Sequence, residues 1–310
     1  MASRFPPANC SGGWGGAAEP RSRHMCDART ARLVVDADRR LAERMRTLAG
    51  RRMVFFAGLP GTGKSLLVHQ LVHLASGAGR QVHLVQWDVA RPIFESSPAG
   101  RRYPIVDGVT HAVVRRAAGL WVREALVDWS TRYREPGHLL VGETPFVGNR
   151  FVELARRIDD RAEVLLTSPW CRFVIATPSC EVRSFLEAQR ERRAGNPLHP
   201  REREDAPPHL LRDLWQSLAA IKGGAAREPV PYDPAVYAEV YQRVLRHRNT
   251  ELVELDVILP TERFSVYDFA VAPRELVPTT AEAERFIVEV ERRYPDPRVL
   301  DGEIARWWAE

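Results

Sequence analysis

Short apolar runs alternate with longer amphipathic stretches along this chain. Each short run is bounded by glycine, proline or polar residues, which is the pattern of a strand buried inside a sheet. The longer stretches repeat leucine, valine and tryptophan every three or four residues, which predicts helices with one apolar face. This alternation predicts an α/β fold in which helices cover a mostly parallel sheet of five strands. The five predicted strands cover residues 53–57, 82–87, 139–141, 172–176 and 252–259.

The helical spacing divides the rest of the chain into eight predicted helices. A proline-rich loop over residues 195–208 follows the fourth of them, and residues 264–269 could form a further short strand. The whole pattern predicts one core domain over residues 31–310, with insertions. The predicted helices cover residues 63–76, 109–133, 149–159, 181–193, 208–221, 234–247, 281–293 and 301–309.

Residues 1–30 differ in composition from the rest of the chain. They mix glycine, alanine, proline and arginine without an apolar segment, so we expect a disordered leader and no secretory signal, with Met25 as an alternative start. No stretch approaches the roughly 20 apolar residues that a membrane helix needs. None of the 4 cysteines has the spacing of a metal or redox pair. We therefore expect a cytoplasmic protein with free thiols and no membrane partner.

The formal net charge is +5, and arginine supplies almost all of the positive residues. These arginines are spread along the chain between acidic residues, which favours an ordinary solvated surface over a nucleic-acid-binding face. Two arginine pairs, at 101–102 and 115–116, lie in a segment over 91–135 that is predicted to bind the acceptor. They could contact a phosphate or a nucleic-acid backbone, so a nucleic-acid partner stays open.

A glycine-rich loop directly follows the first predicted strand. Residues 58–65 match G-x-x-x-x-G-K-S at every defined position, and an amphipathic helix follows. Glycines let a backbone wrap around phosphate oxygens with its N–H groups pointing inward, and the helix start adds partial positive charge. The sequence therefore predicts a P-loop that binds ATP or GTP. The residues predicted to contact the nucleotide are Gly58, Pro60, Gly61, Thr62, Gly63, Lys64, Ser65 and Leu66.

The last two residues of this motif carry its chemistry. The Lys64 ammonium would reach the β- and γ-phosphates and act in catalysis, and the Ser65 hydroxyl would ligate Mg²⁺. The N-K-x-D motif of guanine specificity does not occur in the chain, which counts against a GTPase. The sequence therefore favours a kinase that uses ATP and Mg²⁺.

Asp88 and Arg91 follow the second predicted strand. In a doubly wound sheet, residues just past the carboxyl ends of the strands line the ligand crevice. A carboxylate there could accept the proton of an attacking hydroxyl, and an arginine could hold a phosphate or acidic group of the acceptor. The alternative is a helix-capping Asp88 with a solvated Arg91.

Glu143 closes the third predicted strand in the same way. An acidic residue at this position could hold Mg²⁺ through its water shell, or it could bind the acceptor or serve as the base in place of Asp88. Asn149 and Arg150 follow within a few residues and could face the same crevice. We therefore predict that Glu143 binds metal or acceptor and that Asn149 contacts the acceptor.

The predicted helix over 181–193 is rich in arginine. Arg183, Arg190 and Arg193 share one face of it, because they recur at spacings of seven and three residues. A mobile arginine can stabilise the negative charge that builds up on a transferred phosphoryl group. We therefore predict a lid over about 181–208 with Arg190 and Arg193 as catalytic residues. The alternative is a solvated helix held by Glu–Arg pairs.

These features together resemble one group of P-loop kinases: the G-x-x-G-x-G-K-S loop, the Asp88-x-x-Arg91 pair and the arginine-rich lid. The group includes polynucleotide 5′-kinases, zeta-toxin-like kinases and chloramphenicol phosphotransferase-like enzymes. The resemblance covers about residues 52–213 and implies a P-loop NTPase sandwich of three layers, α/β/α and adenylate-kinase-like, with a helical lid and a C-terminal extension. It also implies that Asp88 is the base, that Arg91 contacts the acceptor, and that Arg190 and Arg193 form the lid's R-x-x-R pair.

The sequence thus predicts a phosphotransferase that moves the γ-phosphoryl group of ATP to a hydroxyl of a small or nucleotide-like acceptor. Two other functions stay open. A polynucleotide 5′-hydroxyl kinase would use the arginine pairs at 101–102 and 115–116 to bind a backbone, with strongly salt-dependent affinity. A partner-dependent regulatory ATPase would hydrolyse ATP without any hydroxyl acceptor.

Overall fold

The computed structural model describes residues 33–106, 108–224, 228–263, 265–268 and 273–309 of the 310-residue chain. The predicted leader over 1–30 lies outside the described residues. The strands are β1 Met53–Ala57, β2 Gln81–Gln86, β3 His138–Thr144, β4 Cys171–Pro178, β5 Thr250–Leu255 and β6 Arg274–Glu275. The α-helices are α1 Arg39–Ala49, α2 Lys64–Gly77, α3 Trp87–Ser96, α4 Ala112–Arg132, α5 Arg161–Leu166, α6 Cys180–Gly195, α7 Pro208–Gly223, α8 Pro234–Val244, α9 Thr280–Arg293 and α10 Pro297–Ala305.

The strands of the described residues form one sheet in the order β5-β4-β1-β3-β2-β6, and every pairing is parallel. The prediction of a mostly parallel sheet is confirmed, but the prediction of five strands is wrong. The sixth strand, β6, pairs with β2 through only two residues, Arg274 opposite His83 and Glu275 opposite Leu84. So short a strand has no apolar run that a sequence pattern could reveal.

Helices cover both faces of this sheet. Successive residues of the central strand β1 point to opposite faces, and on each face they pack into an apolar cluster. Val54 and Phe56 pack against an apolar cluster that includes residues of α1 and α2. Met53 and Phe55 pack into a second cluster, formed largely by α4, α8 and α9. All five residues of β1 are buried, as expected for the middle of a parallel sheet. The arrangement has three layers, helix on sheet on helix.

One predicted helix is wrong. The pattern over 149–159 is not an α-helix, because the chain turns sharply where β3 ends. Phe146, Asn149 and Phe151 have φ angles of 58°, 63° and 63°, a left-handed backbone that an α-helix does not accommodate. Val152–Leu154 forms only a 3₁₀ turn, and the next α-helix is the short α5. The apolar spacing reflects residues buried by this compact turn.

Three helices escaped the sequence pattern, and the short α5 is one of them. Helix α1 precedes β1, and helix α3 starts at Trp87, directly after β2, with Pro92 inside it. Asp88 therefore lies in the first turn of a helix and not in a loop. The further strand that residues 264–269 could form is not seen, since Val266–Asp268 makes a 3₁₀ turn and residues 264 and 269 lie outside the described chain. Within the described ranges, no helix is both long enough and apolar enough to span a membrane.

Candidate phosphate-binding site

Residues 58–65, called the glycine loop from this point, join β1 to α2 at the carboxyl end of the central strand. Gly58, Gly61 and Gly63 have φ angles of 147°, 72° and 83°, which side-chain-bearing residues rarely adopt. A Cβ at Gly61 would lie 2.8 Å from Leu211 Cδ1 of α7, and one at Gly58 would collide with the Tyr237 hydroxyl of α8. Backbone conformation thus requires all three glycines, and close packing also requires Gly58 and Gly61.

Side chains from distant helices hold the glycine loop in place. The Tyr237 hydroxyl accepts a hydrogen bond from the Leu59 N–H at 3.2 Å, and the Thr62 hydroxyl donates to the Leu59 carbonyl at 2.9 Å. Arg183 of α6 donates to the Pro60 carbonyl at 3.4 Å. Sequence reasoning missed Tyr237 because it lies 178 residues from its partner and in no motif. The loop is therefore preorganised by α6, α7 and α8.

The side chain of Lys64 is buried, with 3% of its surface exposed. Its ammonium donates to the Leu59 carbonyl at 2.8 Å and lies 3.7 Å from the Glu143 carboxylate. Burial lowers the pKa of Lys64, and the positive charges of Arg190 and Arg183 lower it further, while Glu143 and Asp88 act in the opposite direction. An ammonium has three N–H groups, so Lys64 can still donate hydrogen bonds to oxygens of an anionic ligand.

Glu143 lies on β3 beside both neighbouring strands, opposite Phe56 of β1 and Gln86 of β2. Its carboxylate accepts hydrogen bonds from the Ser65 hydroxyl at 3.1 Å and from the Gln86 amide at 3.2 Å. Gln86 was not predicted, because the parallel register that brings it to Glu143 is not visible in the sequence. Strand pairing thus places a carboxylate against the last residue of the glycine loop.

The chemistry of Ser65 and Glu143 can be compared with the ligands that Mg²⁺ prefers. Mg²⁺ prefers oxygen ligands and is usually bound by one or two protein groups together with waters and substrate phosphates. Ser65 and Glu143 present a hydroxyl and a carboxylate 3.1 Å apart. Within the described part of the chain, no group of three or more His, Cys, Asp or Glu residues could hold a metal ion by itself. The pair fits a site that a phosphate ligand would complete.

Asp88 projects from the first turn of α3 near the same residues. Its side chain is accessible to solvent, yet protein atoms crowd around it, and this partial desolvation raises its pKa. The negative charge of Glu143 raises the pKa further, and Arg91, Arg150 and Lys64 counteract the shift. The described residues provide the Asp88 carboxylate with no hydrogen bond or ion pair. A carboxylate in this state is suited to accept a proton.

The two arginines nearest to Asp88 differ in their bonding. Arg91 donates to both oxygens of Glu95, one turn further along α3, at 3.1 and 3.0 Å. Arg150 is half-buried, and its guanidinium makes no hydrogen bond or ion pair with any described residue. Burial lowers the pKa of Arg150, and the charge of Asp88 partly restores it. Arg150 is therefore the arginine of this pair that is better placed to bind an anion.

Asn149 lies in a different environment from the one predicted. Its side chain is fully buried and donates to the Glu153 carboxylate at 3.1 Å, and Glu153 also accepts a hydrogen bond from Arg116 at 2.9 Å. These contacts place Asn149 in a buried polar cluster beneath the turn that follows β3. Its predicted contact with the acceptor stays a prediction.

The predicted lid helix is present as α6, and its three arginines have separate partners. Arg190 forms an ion pair with Asp205 at 2.9 Å, and the Tyr267 hydroxyl donates to the same carboxylate at 2.8 Å. Arg193 donates to Glu202 at 3.0 Å and to the Thr261 carbonyl at 2.7 Å. Only Arg190 and Arg183 lie close enough to influence the pKa of Lys64. Arg190 therefore fits the predicted role better than Arg193, whose contacts connect α6 to the segment after β5.

The two arginine pairs that were predicted to contact a phosphate or a nucleic-acid backbone, at 101–102 and 115–116, differ in exposure. Arg101 and Arg102 are exposed on a 3₁₀ turn, and Arg102 pairs with Glu291 at 2.8 Å. Arg116 is buried, and it pairs with Glu153 and Glu303 at 2.9 and 2.5 Å. The prediction that Arg116 could meet a nucleic-acid backbone at the surface is wrong, because its guanidinium is bound inside the protein.

No protein-family model, curated protein or solved structure matches this chain. The fold and site define an α/β protein whose all-parallel sheet carries a glycine loop at the end of its central strand. Function must therefore be inferred from the groups that converge on that loop.

Proposed function

We propose that the protein is a kinase that transfers the γ-phosphoryl group of ATP to a hydroxyl group of a small or nucleotide-like acceptor. The observation that carries this proposal is that the glycine loop, Glu143 and Asp88 lie close together. The glycine loop matches a phosphate-binding motif, its Lys64 and Ser65 contact Glu143 of the adjacent strand, and Asp88 lies nearby without a hydrogen-bond or ion-pair partner among the described residues. Phosphoryl transfer depends mainly on positioning and charge stabilisation, which such a cluster can supply.

On the phosphate side, the loop N–H groups and Lys64 would bind the β- and γ-phosphates. Lys64 would exchange its hydrogen bond to the Leu59 carbonyl for phosphate oxygens, a change that a flexible side chain makes easily. Ser65 and Glu143 would hold Mg²⁺, directly or through water, and the ion would neutralise part of the phosphate charge. Tyr237 and Arg183 would keep the loop in its binding conformation.

On the acceptor side, Asp88 is a better base than Glu143. The two oxygens of Glu143 already accept hydrogen bonds from Ser65 and Gln86, and one lies near Lys64. Asp88 has no such partners among the described residues, and its raised pKa favours proton uptake. It would take the proton of the attacking hydroxyl or orient that hydroxyl toward the phosphate.

Helix α6 is proposed to act as a lid. An apolar cleft lies beside the glycine loop, between Leu66 of α2, Val182 of α6 and Leu255 of β5. Its cavity volume is about 30 Å³, which is close to the space of one water molecule. We propose that α6 moves away from β5 when the nucleotide binds. Return of α6 would bring Arg190 toward the transferred phosphoryl group and exclude water.

The decisive experiment follows the γ-phosphate of labelled ATP into pools of nucleosides, 5′-hydroxyl oligonucleotides, sugars, aminoglycosides and other hydroxylated metabolites. The matched inactive control is Lys64→Ala. Label transferred to one acceptor class by the wild type but not by the variant would support the kinase and identify its acceptor. Label found only in oligonucleotides would select the polynucleotide kinase. Release of free phosphate alone would overturn the proposal in favour of a partner-dependent ATPase.

A further inference from the structure

A cavity much larger than the cleft beside α6 lies away from the glycine loop. It is bordered by the turn after β3, by the segment between α8 and β5, and by the C-terminal ends of α9 and of the described chain. Its volume is about 310 Å³, which is within the range of small-molecule binding sites. Of the described residues that line it, none belongs to the glycine loop, and Asp88 and Glu143 are also not among them. We call it the arginine cavity.

Positive charge exceeds negative charge in the lining of this cavity. The carboxylates are Glu153 and Glu303, and both are already bound by Arg116, at 2.9 and 2.5 Å. Arg156, Arg157 and Arg293 also line the cavity. Among the described lining residues, two carboxylates face four arginines even when Arg246 is left out, so the net charge of these residues is positive. Such a site attracts anions.

Arg156 carries the strongest indication of a missing ligand. It is half-buried, its Nε is shielded from solvent, and this atom has no hydrogen-bond partner among the described residues. Burial lowers the pKa of Arg156, and the charge of Glu153 acts in the opposite direction. Buried donors are normally paired, because an unpaired polar group loses its hydration without replacement. The terminal nitrogens of Arg156 reach solvent and also make no hydrogen bond or ion pair with a described residue, so an anion in the cavity would accept hydrogen bonds from them.

The walls also restrict the kind of ligand. The guanidinium groups of Arg116 and Arg293 lie over the Tyr294 ring, at 5.6 and 6.0 Å from its centre. Trp308 is likewise covered by Arg243 at 5.4 Å. These aromatic rings thus hold arginines in place and offer little free surface for stacking. The available chemistry is a set of guanidinium donors, which bind phosphate oxygens well.

We propose that the arginine cavity is a second ligand site, which binds a small molecule carrying phosphate groups through Arg156, Arg157 and Arg293. The site is separate from the glycine loop, and the proposal does not depend on phosphoryl transfer. The concave shape and volume of the cavity suit a small ligand enclosed by several donors.

The test is calorimetric titration of the full chain with inorganic pyrophosphate at constant ionic strength. It is performed in a Lys64→Ala background, so that binding at the glycine loop is weakened and the arginine cavity is observed. We expect one saturable site. Arg156→Ala, added to this background, should weaken binding about 10-fold or more, because a charge-assisted hydrogen bond is lost. Arg132→Ala, at an exposed position at the end of α4, is the matched control and should leave the affinity unchanged.

Arg157→Ala is the second variant, since its exposed side chain can be removed without disturbing the fold. Weakening by Arg156→Ala and Arg157→Ala, but not by Arg132→Ala, would support the site. Equal affinity of all three variants would overturn it, and so would the absence of binding in the Lys64→Ala background. Thermal unfolding of each variant separates loss of the site from loss of the fold.

Discussion

Two regions of this protein bring arginine or lysine together with carboxylates, and they do so in opposite ways. In the first, Arg123 and Arg248 surround Asp160 and Glu163; we call these four residues the closed cluster. Arg123 donates to Asp160 and Glu163 at 2.6 to 2.9 Å, and Arg248 donates to Glu163 at 2.8 and 3.0 Å. In the second region, beside the glycine loop, Asp88 and Arg150 have no hydrogen-bond or ion-pair partner among the described residues.

The pKa shifts of the two regions have opposite signs. In the closed cluster, burial alone would raise the pKa of Glu163, but hydrogen bonds from Arg248 and Arg123 outweigh it and the pKa is lowered. Beside the glycine loop, burial and the charge of Glu143 raise the pKa of Asp88, and its cationic neighbours do not reverse the shift. Complete pairing stabilises a fold, whereas charged groups left without partners remain available to a ligand. The comparison distinguishes ionic groups that are fully paired from ionic groups that remain available to a ligand.

The largest expected effect is the loss of phosphoryl transfer in Lys64→Ala. Removal of the ammonium takes away a contact to the phosphates and to the developing charge, so the rate should fall about 10³-fold or more. The free energy of unfolding should change by less than about 1 kcal/mol, because Glu143 keeps its bonds to Ser65 and Gln86. Steady-state transfer assays and urea unfolding measure the two quantities. Lys222→Ala is the control, since Lys222 is the only other lysine of the chain and is exposed.

Arg248→Ala should have the opposite effect to Lys64→Ala, because it should lower stability and leave the ATP site intact. The Arg248 side chain is fully buried, and its loss leaves Glu163 and the carbonyls of Leu154 and His247 short of donors. Breaking a buried pair in this way costs about 3–5 kcal/mol of unfolding free energy. The folded fraction should keep its affinity for ATP. Arg298→Ala, at an exposed position, is the control. An unchanged urea midpoint for Arg248→Ala would contradict the structural role of the closed cluster.

Asp88→Asn tests the region beside the glycine loop, and it is a milder change than Lys64→Ala. The amide keeps the shape of the side chain but cannot accept a proton, so transfer should fall about 10²-fold. ATP binding should be nearly unchanged, and stability should not fall, because a carboxylate with a raised pKa contributes no stabilising charge interaction at neutral pH. Asp128→Asn, exposed on α4, is the control. Full activity of Asp88→Asn with the true acceptor would assign the base to another residue.

The parts of this picture that the sequence could predict depend on short-range patterns. The glycine loop was predictable because its motif and both flanking elements lie within about 25 consecutive residues, each with its own periodicity. Helix α6 was predicted over residues 181–193, and its role as a lid stays a prediction. Asp88 was located correctly at the end of β2, although the helix that carries it was not foreseen.

The remaining features depend on contacts between distant parts of the chain. Gln86 reaches Glu143 only through the register of β2 and β3, and Tyr237 reaches the glycine loop only through the packing of α8. Whether an arginine is free also depends on its neighbours in space. Arg91 is held by Glu95 and Arg116 lies inside the protein, and neither fact follows from the charge pattern.

The smallest expected effect is on the closed cluster and depends on pH. Because the pKa of Glu163 is lowered from 4.5 in the folded state, its ionised form stabilises the protein above about pH 4.5, and this contribution is lost as the pH falls through the lower folded value. Glu163→Gln should therefore cost about 1–3 kcal/mol at pH 7 and progressively less in more acidic buffer. Urea unfolding from pH 7 to pH 3, with exposed Glu254→Gln as control, measures this difference. A pH-independent cost would mean that packing of the side chain, and not its charge, supports the cluster.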